Sequence, residues 1–155
     1  MSISVVLVPF VVAAVAAWEV RKGGRPQPDE AGQTRTVCAV RTRMRDTGLL
    51  GAALRELGAV VTETDGELVA VWQEVRARFV RDEDGIWTAH FTGTVDETRA
   101  VEAVQAIDAA YGRHVQRAVV QRLRDRAPEA GMLLESESVG EDSAVTLVFA
   151  VRGEG

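Results

Sequence analysis

Tyr111 and His114 stand three residues apart, a spacing that places a phenol and an imidazole on one face of a helix. With Arg113 and Arg117 beside them, they are the set in this chain best suited to lining a small polar pocket. The same spacing serves packing, with Tyr111 turned inward and His114 at the solvent edge, and that plainer role is the preferred reading. His90, the only other histidine, falls on an alternating segment and reads as structural or surface. Neither histidine stands in an HxxxH or HExxH pattern, and the single Cys38 can complete no zinc site. Apolar residues alternate around Cys38, so it reads as a buried strand thiol.

The other motifs of catalysis are missing. No glycine-rich phosphate loop follows a strand, and no serine has the context of a nucleophile elbow. Asp82-Glu83-Asp84, Glu135, Glu137, Glu141 and Asp142 coincide with turns or exposed strand faces and lack the ligand spacing of a metal loop. These residues predict a protein that is not an enzyme and uses no metal or cofactor.

Arginine is the one polar residue type that gathers. Arg41, Arg43 and Arg45 lie along the first strand of the domain and its exit, and Arg76 and Arg78 share a strand face. Arg113, Arg117 and Arg124 follow one another along a helix. If these faces coincide they make an anion-attracting patch for an acidic partner or lipid. Glu74, Glu83, Asp108 and Asp125 are interspersed and weaken it. The candidate ligand or partner contacts are therefore Arg41, Arg43, Arg76, Arg78, Tyr111, Arg113, His114 and Arg117. A net charge of −5 argues against nucleic-acid binding, which needs a basic footprint. Lys22 is the only lysine, a bias typical of a GC-rich bacterial genome.

The elements that carry these residues follow from patterning. Thr36–Arg43 alternates as a strand. Asp46 is placed as an N-cap before Leu49, Leu50, Ala53, Leu54 and Leu57 at helical spacing, and Gly58 closes that helix. Val60–Thr64 and Leu68–Trp72 flank Asp65-Gly66, a type I′ hairpin signal. Val75–Arg81 and Ile86–Thr92 continue as strands around the turn Asp82–Gly85. Thr94-Val-Asp-Glu97 reads as a capping box for a long helix whose stripe is Val101, Val104, Ile107, Tyr111, Val115, Val119 and Leu123. Gly112 leaves open two helices meeting near Tyr111. Met132–Val139 and Ala144–Arg152 close the chain as a hairpin whose last strand is central in its sheet. The order β-α-β-β-β-β-α-β-β predicts an α+β domain, an antiparallel-rich sheet with two helices on one face.

Ahead of this domain, residues 3–18 contain no charged residue. Residues 2–18 just reach the roughly 17 residues that a membrane-crossing helix requires, with Trp18 at the interfacial end and Pro9 as a kink. Arg21, Lys22 and Arg25 trail the segment, so the positive-inside rule puts the remainder in the cytoplasm. The expected organisation is a membrane anchor at 1–20, a Gly- and Pro-bearing tether at 21–34, and an α+β domain at 35–153. That makes the protein a single-pass component of a bacterial cell membrane, held in the lipid bilayer through residues 2–18. Ala14-Val15-Ala16 keeps a cleaved export signal open as an alternative, and a buried first element is a third.

Distributed residues from Val37 to Val151 resemble a known family. They are Arg45-Asp46, then Leu49, Ala53, Leu54 and Leu57-Gly58. Tyr111 and His114 follow, then Gly131, and last a hairpin turning at Glu141-Asp142 into Val145-Thr146-Leu147-Val148. The chain is similar in these to the plastid and cyanobacterial hypothetical-reading-frame thirty-five family, or domain of unknown function twelve fifty-seven. It differs in its added N-terminal segment and compact, Arg-rich meander. The resemblance implies a fold and no reaction, and family members' association with AAA-class ATPases implies a protein partner. The expected function is a membrane-tethered, non-catalytic interaction or assembly module. The alternatives are a small-ligand-binding or enzymatic domain around Tyr111 and His114, or an exported domain.

Overall fold

Short-range signals build most of the elements seen in the computed structural model, which describes residues 2–7, 20–21 and 38–152. In chain order they are β1 (Ser2–Leu7), β2 (Val20–Arg21), β3 (Cys38–Arg41), α1 (Thr47–Glu56), β4 (Val60–Thr64) and β5 (Glu67–Val71). After them come β6 (Val75–Arg81), β7 (Trp87–Gly93), α2 (Glu97–Arg126), β8 (Met132–Val139) and β9 (Val145–Val151). The fold of the described residues is α+β, with antiparallel sheets and two helices.

Local chemistry explains the boundaries. The Asp46 carboxylate accepts a hydrogen bond from the Leu49 N–H and caps α1. At its other end Gly58 N–H donates to Arg55 O and Ala59 N–H to Leu54 O, a Schellman closure with Gly58 at φ +81°. Asp65 and Gly66 both have positive φ, as a type I′ hairpin demands. The expected capping box at Thr94 is displaced: Asp96 caps α2, its carboxylate accepting from the Arg99 N–H. Thr94 instead donates its N–H to Glu74 O, 3.3 Å away, and so ends β7.

The single sheet expected from the sequence is two sheets. One is six-stranded, in the order β2-β3-β7-β6-β5-β4. The other is three-stranded, β1-β9-β8, because the closing hairpin pairs with Ser2–Leu7 and not with the meander. β9 is the central strand of that sheet. Ser2–Leu7 therefore form a strand where the expected membrane helix was to begin. Residues 8–19, with Pro9 and Trp18, lie outside the described residues, as do 22–34 of the expected tether. Among the described residues no helix is long and apolar enough to cross a membrane.

By its internal contacts the chain divides into two compact units, 1–12 with 112–155 and 13–111. The division falls at Gly112, inside what is one continuous helix by its backbone, Glu97–Arg126. In the 13–111 unit, Val40, Leu50, Leu54, Phe79, Trp87, Phe91, Val104 and Ile107 form the core. In the other unit Val120 and Ala127 pack with Leu147 and Phe149, and Val5 joins them from β1. The buried positions of α2 are Ala100, Val104, Ile107, Ala110 and Val120, so Val104 and Ile107 of the expected stripe are buried, while Ala100, Ala110 and Val120 are buried beside Val101, Tyr111 and Val119. Cys38 is buried, as its alternating neighbours predict.

Candidate functional site

Tyr111 does structural work. Its hydroxyl accepts hydrogen bonds from the Asp46 N–H at 3.1 Å and the Arg45 N–H at 3.3 Å, so it steadies the entry to α1. His114, half-buried, and Arg113 and Arg117, exposed, lie on the part of α2 that belongs to the other unit.

Of the remaining candidate arginines, Arg41, Arg43 and Arg78 pair with acidic side chains. Arg43 makes a two-point pair with Asp108, Nε–Oδ1 2.9 Å and Nη2–Oδ2 2.6 Å. The hydrogen bond to Asp108 raises the pKa of Arg43 further, so it stays charged. Arg41, Arg76 and Arg78 do share one face of the six-stranded sheet with His90, through the registers Arg41↔Thr88, Arg78↔His90 and Arg76↔Thr92. Arg41, however, spans Asp82 and Asp84 at 3.0 and 3.2 Å, and Arg78 lies 3.6 Å from Glu67. The Ile86 N–H first, and Arg41 after it, hold the Asp82 carboxyl below its usual range against the opposing desolvation. Burial first and the neighbouring Arg78 second push His90 below its ordinary value, with Glu67 opposing. Such mixed charge does not concentrate a field, and the face is no cationic patch.

Arg81, which sequence reasoning passed over, ties the β3–α1 connection in place. Its Nη2 donates to Arg45 O at 2.7 Å and Thr47 Oγ1 at 2.9 Å, and its guanidinium carbon sits 4.8 Å from the centre of the Trp87 ring.

A cleft opens elsewhere in the 13–111 unit. Its space is about 400 Å³, walled by Leu57, Trp72, Val75, Phe91, Val95, Ala103, Ala106 and Ile107. Four segments converge there: the end of α1, the β5–β6 turn, the end of β7 and the first turns of α2. The Trp72 indole Nε1 donates to Leu57 O at 3.1 Å, which fixes the ring across the gap between turn and helix. Close packing holds the other wall. Gly93, at φ +116°, leaves so little room that a Cβ there would lie 2.2 Å from Glu74 O.

Polar groups are few: Glu74, Thr94 and Arg99. The side chains of Arg99 and Glu74 make no ion pair among the described residues. An apolar hollow of this size with a few convergent polar groups has the form of a small-molecule site. Among the described residues no group of histidine, cysteine or carboxylate side chains could hold a metal ion. Trp72 and Arg99 escaped sequence reasoning because the one reads alone as the end of the strand Leu68–Trp72 and the other as a solvated helix residue. The only hint was an aromatic, Trp72, beside the turn Gln73-Glu74. Compared with known families, characterised proteins and solved structures, the chain matches none.

Proposed function

We propose that the 13–111 unit is a binding module for a small amphipathic acid: an apolar body seated in the cleft and an anionic head at Arg99. The observation that carries this is the apolar cleft of about 400 Å³ with Arg99, a cation without a carboxylate partner among the described residues, in its lining. Burying an alkyl or aryl body against Trp72, Val75, Phe91 and Ile107 provides the affinity, at about 25 cal/mol per Å² of apolar surface removed from water. Arg99 provides the orientation, because a guanidinium can grip a carboxylate or sulfonate at two points. Glu74 works against a doubly charged head, so the ligand class is a monoanion with a long or flat apolar part. The role read for the module is to bind and release.

Anilinonaphthalene sulfonate combines the required parts and reports its own burial by fluorescence. We expect saturable binding at one site per chain, competed by decanoate. Ala103→Phe, which fills the cleft, should weaken the probe by about tenfold or more, a loss of about 1.4 kcal/mol. Arg99→Gln should weaken decanoate while leaving decanol unchanged. Unsaturable binding, or binding indifferent to Ala103→Phe in a variant whose circular dichroism is unaltered, would sink the reading.

A further inference from the structure

We infer that a second copy of this chain pairs with the open edge of β1, joining two three-stranded sheets into one antiparallel sheet of six strands. β1 and β8 are the two edges of the β1-β9-β8 sheet, and among the described residues no strand occupies the outer side of β1. Unpaired edges carry a row of free N–H and C=O groups and are normally blunted by charge, proline or a bulge.

The other long edges of this protein are blunted in that way. β8 carries Glu135 and Glu137 and a register shift between Leu134 and Ser136. β4 carries Glu63. β1 reads Ser-Ile-Ser-Val-Val-Leu, with no charge, no proline and a continuous register to β9. It also leaves β-branched side chains in water: Ile3 is 47% exposed and Val6 58% exposed. Ile3 lies opposite Phe149, on the face that carries this unit's core, and among the described residues no strand flanks it on its outer side.

Charge and symmetry point to a second copy as the occupant. The chain carries −5, so two copies approach best where neither shows charge, and β1 is such a place. Residues paired across an antiparallel ladder share a face, so a two-fold axis through Ser4 sets Ser2 against the second copy's Val6 and Ile3 against its Val5. Apolar residues then meet on the core side and serines with valine on the outer side. No like charges are opposed, and the contact closes on itself without leading to a fibre.

The test uses the full chain. Light scattering and sedimentation across a micromolar concentration range should give a species of twice 16.7 kDa. Ser4→Lys and Ser4→Asp each place two like charges on the axis and should yield monomers with unchanged circular dichroism. Mixing the two variants in equal amounts should restore the dimer. Ser4→Cys should form a disulfide-linked dimer on mild oxidation, because Cα atoms opposed across a ladder lie about 4.5–5.5 Å apart, within disulfide reach. Cys38 is buried and does not compete. A monomer at every concentration, a dimer indifferent to both charges, or recovery of the chain only with membranes would each overturn the inference. A monomer for which the mixed variants form nothing new, but which captures a foreign strand, also overturns it.

Discussion

Arg43 and Asp108 are joined at two points across 65 positions of sequence, Nε to Oδ1 at 2.9 Å and Nη2 to Oδ2 at 2.6 Å. The pair links the exit of β3 to the first half of α2. Asp108 is the more enclosed partner, its side chain 17% exposed against 49% for Arg43. Solvent around the guanidinium limits the worth of the pair to about 1 kcal/mol. Arg43→Lys should lose most of that, because an ammonium keeps the charge and loses the fork. A double-mutant cycle with Asp108→Asn, read by urea unfolding, measures the coupling. A coupling indistinguishable from zero would refute it.

Tyr111→Phe removes one acceptor and leaves the Arg45 and Asp46 N–H groups to water. Both N–H groups belong to exposed residues. The cost should be about 1 kcal/mol, with little change in circular dichroism. Asp46→Ala should cost a similar amount through the lost cap, about 1 kcal/mol. Because both changes act on one entry to α1, the double variant should fall short of the sum, and additivity within experimental error would argue that they act independently.

Gly93→Ala is the harshest small substitution the cleft offers. The new Cβ would sit 2.2 Å from Glu74 O at a φ of +116°. Neither can relax without parting the start of β6 from the end of β7, so the loss should exceed about 2 kcal/mol. Gly66→Ala is the control, since nothing lies within 4 Å of its Cβ position and only the backbone conformation at φ +78° is strained. If the two variants unfold at the same urea concentration, the close approach at Gly93 carries no weight.

His90 makes stability depend on mildly acid pH. Its folded pKa lies below the free value of 6.5. Above 6.5 the ring is neutral in both states and stability is full; as pH falls through 6.5 the unfolded chain gains a proton that the folded chain refuses. Stability should therefore decline from about pH 6.5 downward until the folded value is passed. His90→Gln should flatten that part of the profile while leaving the steeper loss below the carboxylate range, where Asp82 is protonated. A wild-type profile already flat between neutral pH and the carboxylate range would contradict this.

Elements whose signals are local were legible in the residues. Asp46 caps, Gly58 closes and Asp65-Gly66 turns because each chemistry acts within a few positions, and the order of elements from β3 onward follows from them. At the start of α2, Thr94 and Asp96 are both competent caps; Asp96 caps, and the Thr94 N–H, which a capping box would give to Glu97, goes to Glu74 O from a distant turn. The uncharged run at 3–18 has no sustained period to separate strand from helix, so Ser2–Leu7 declared themselves a strand only by pairing with β9.

The cleft was illegible for a further reason. Leu57, Trp72, Phe91 and Arg99 belong to four segments, and alternation tells which side a residue faces but never which segment it will meet. From residue 38 onward the sequence by itself determined the inventory: two helices, tight antiparallel turns and one buried thiol. Tertiary structure decided partners, dividing the strands into two sheets, spending Tyr111, Arg41 and Arg43 on the framework, and leaving Arg99 beside an apolar hollow. Propensity and capping are short-range forces carried by the chain locally, whereas register and cavity shape arise only when distant segments bury one another's surface.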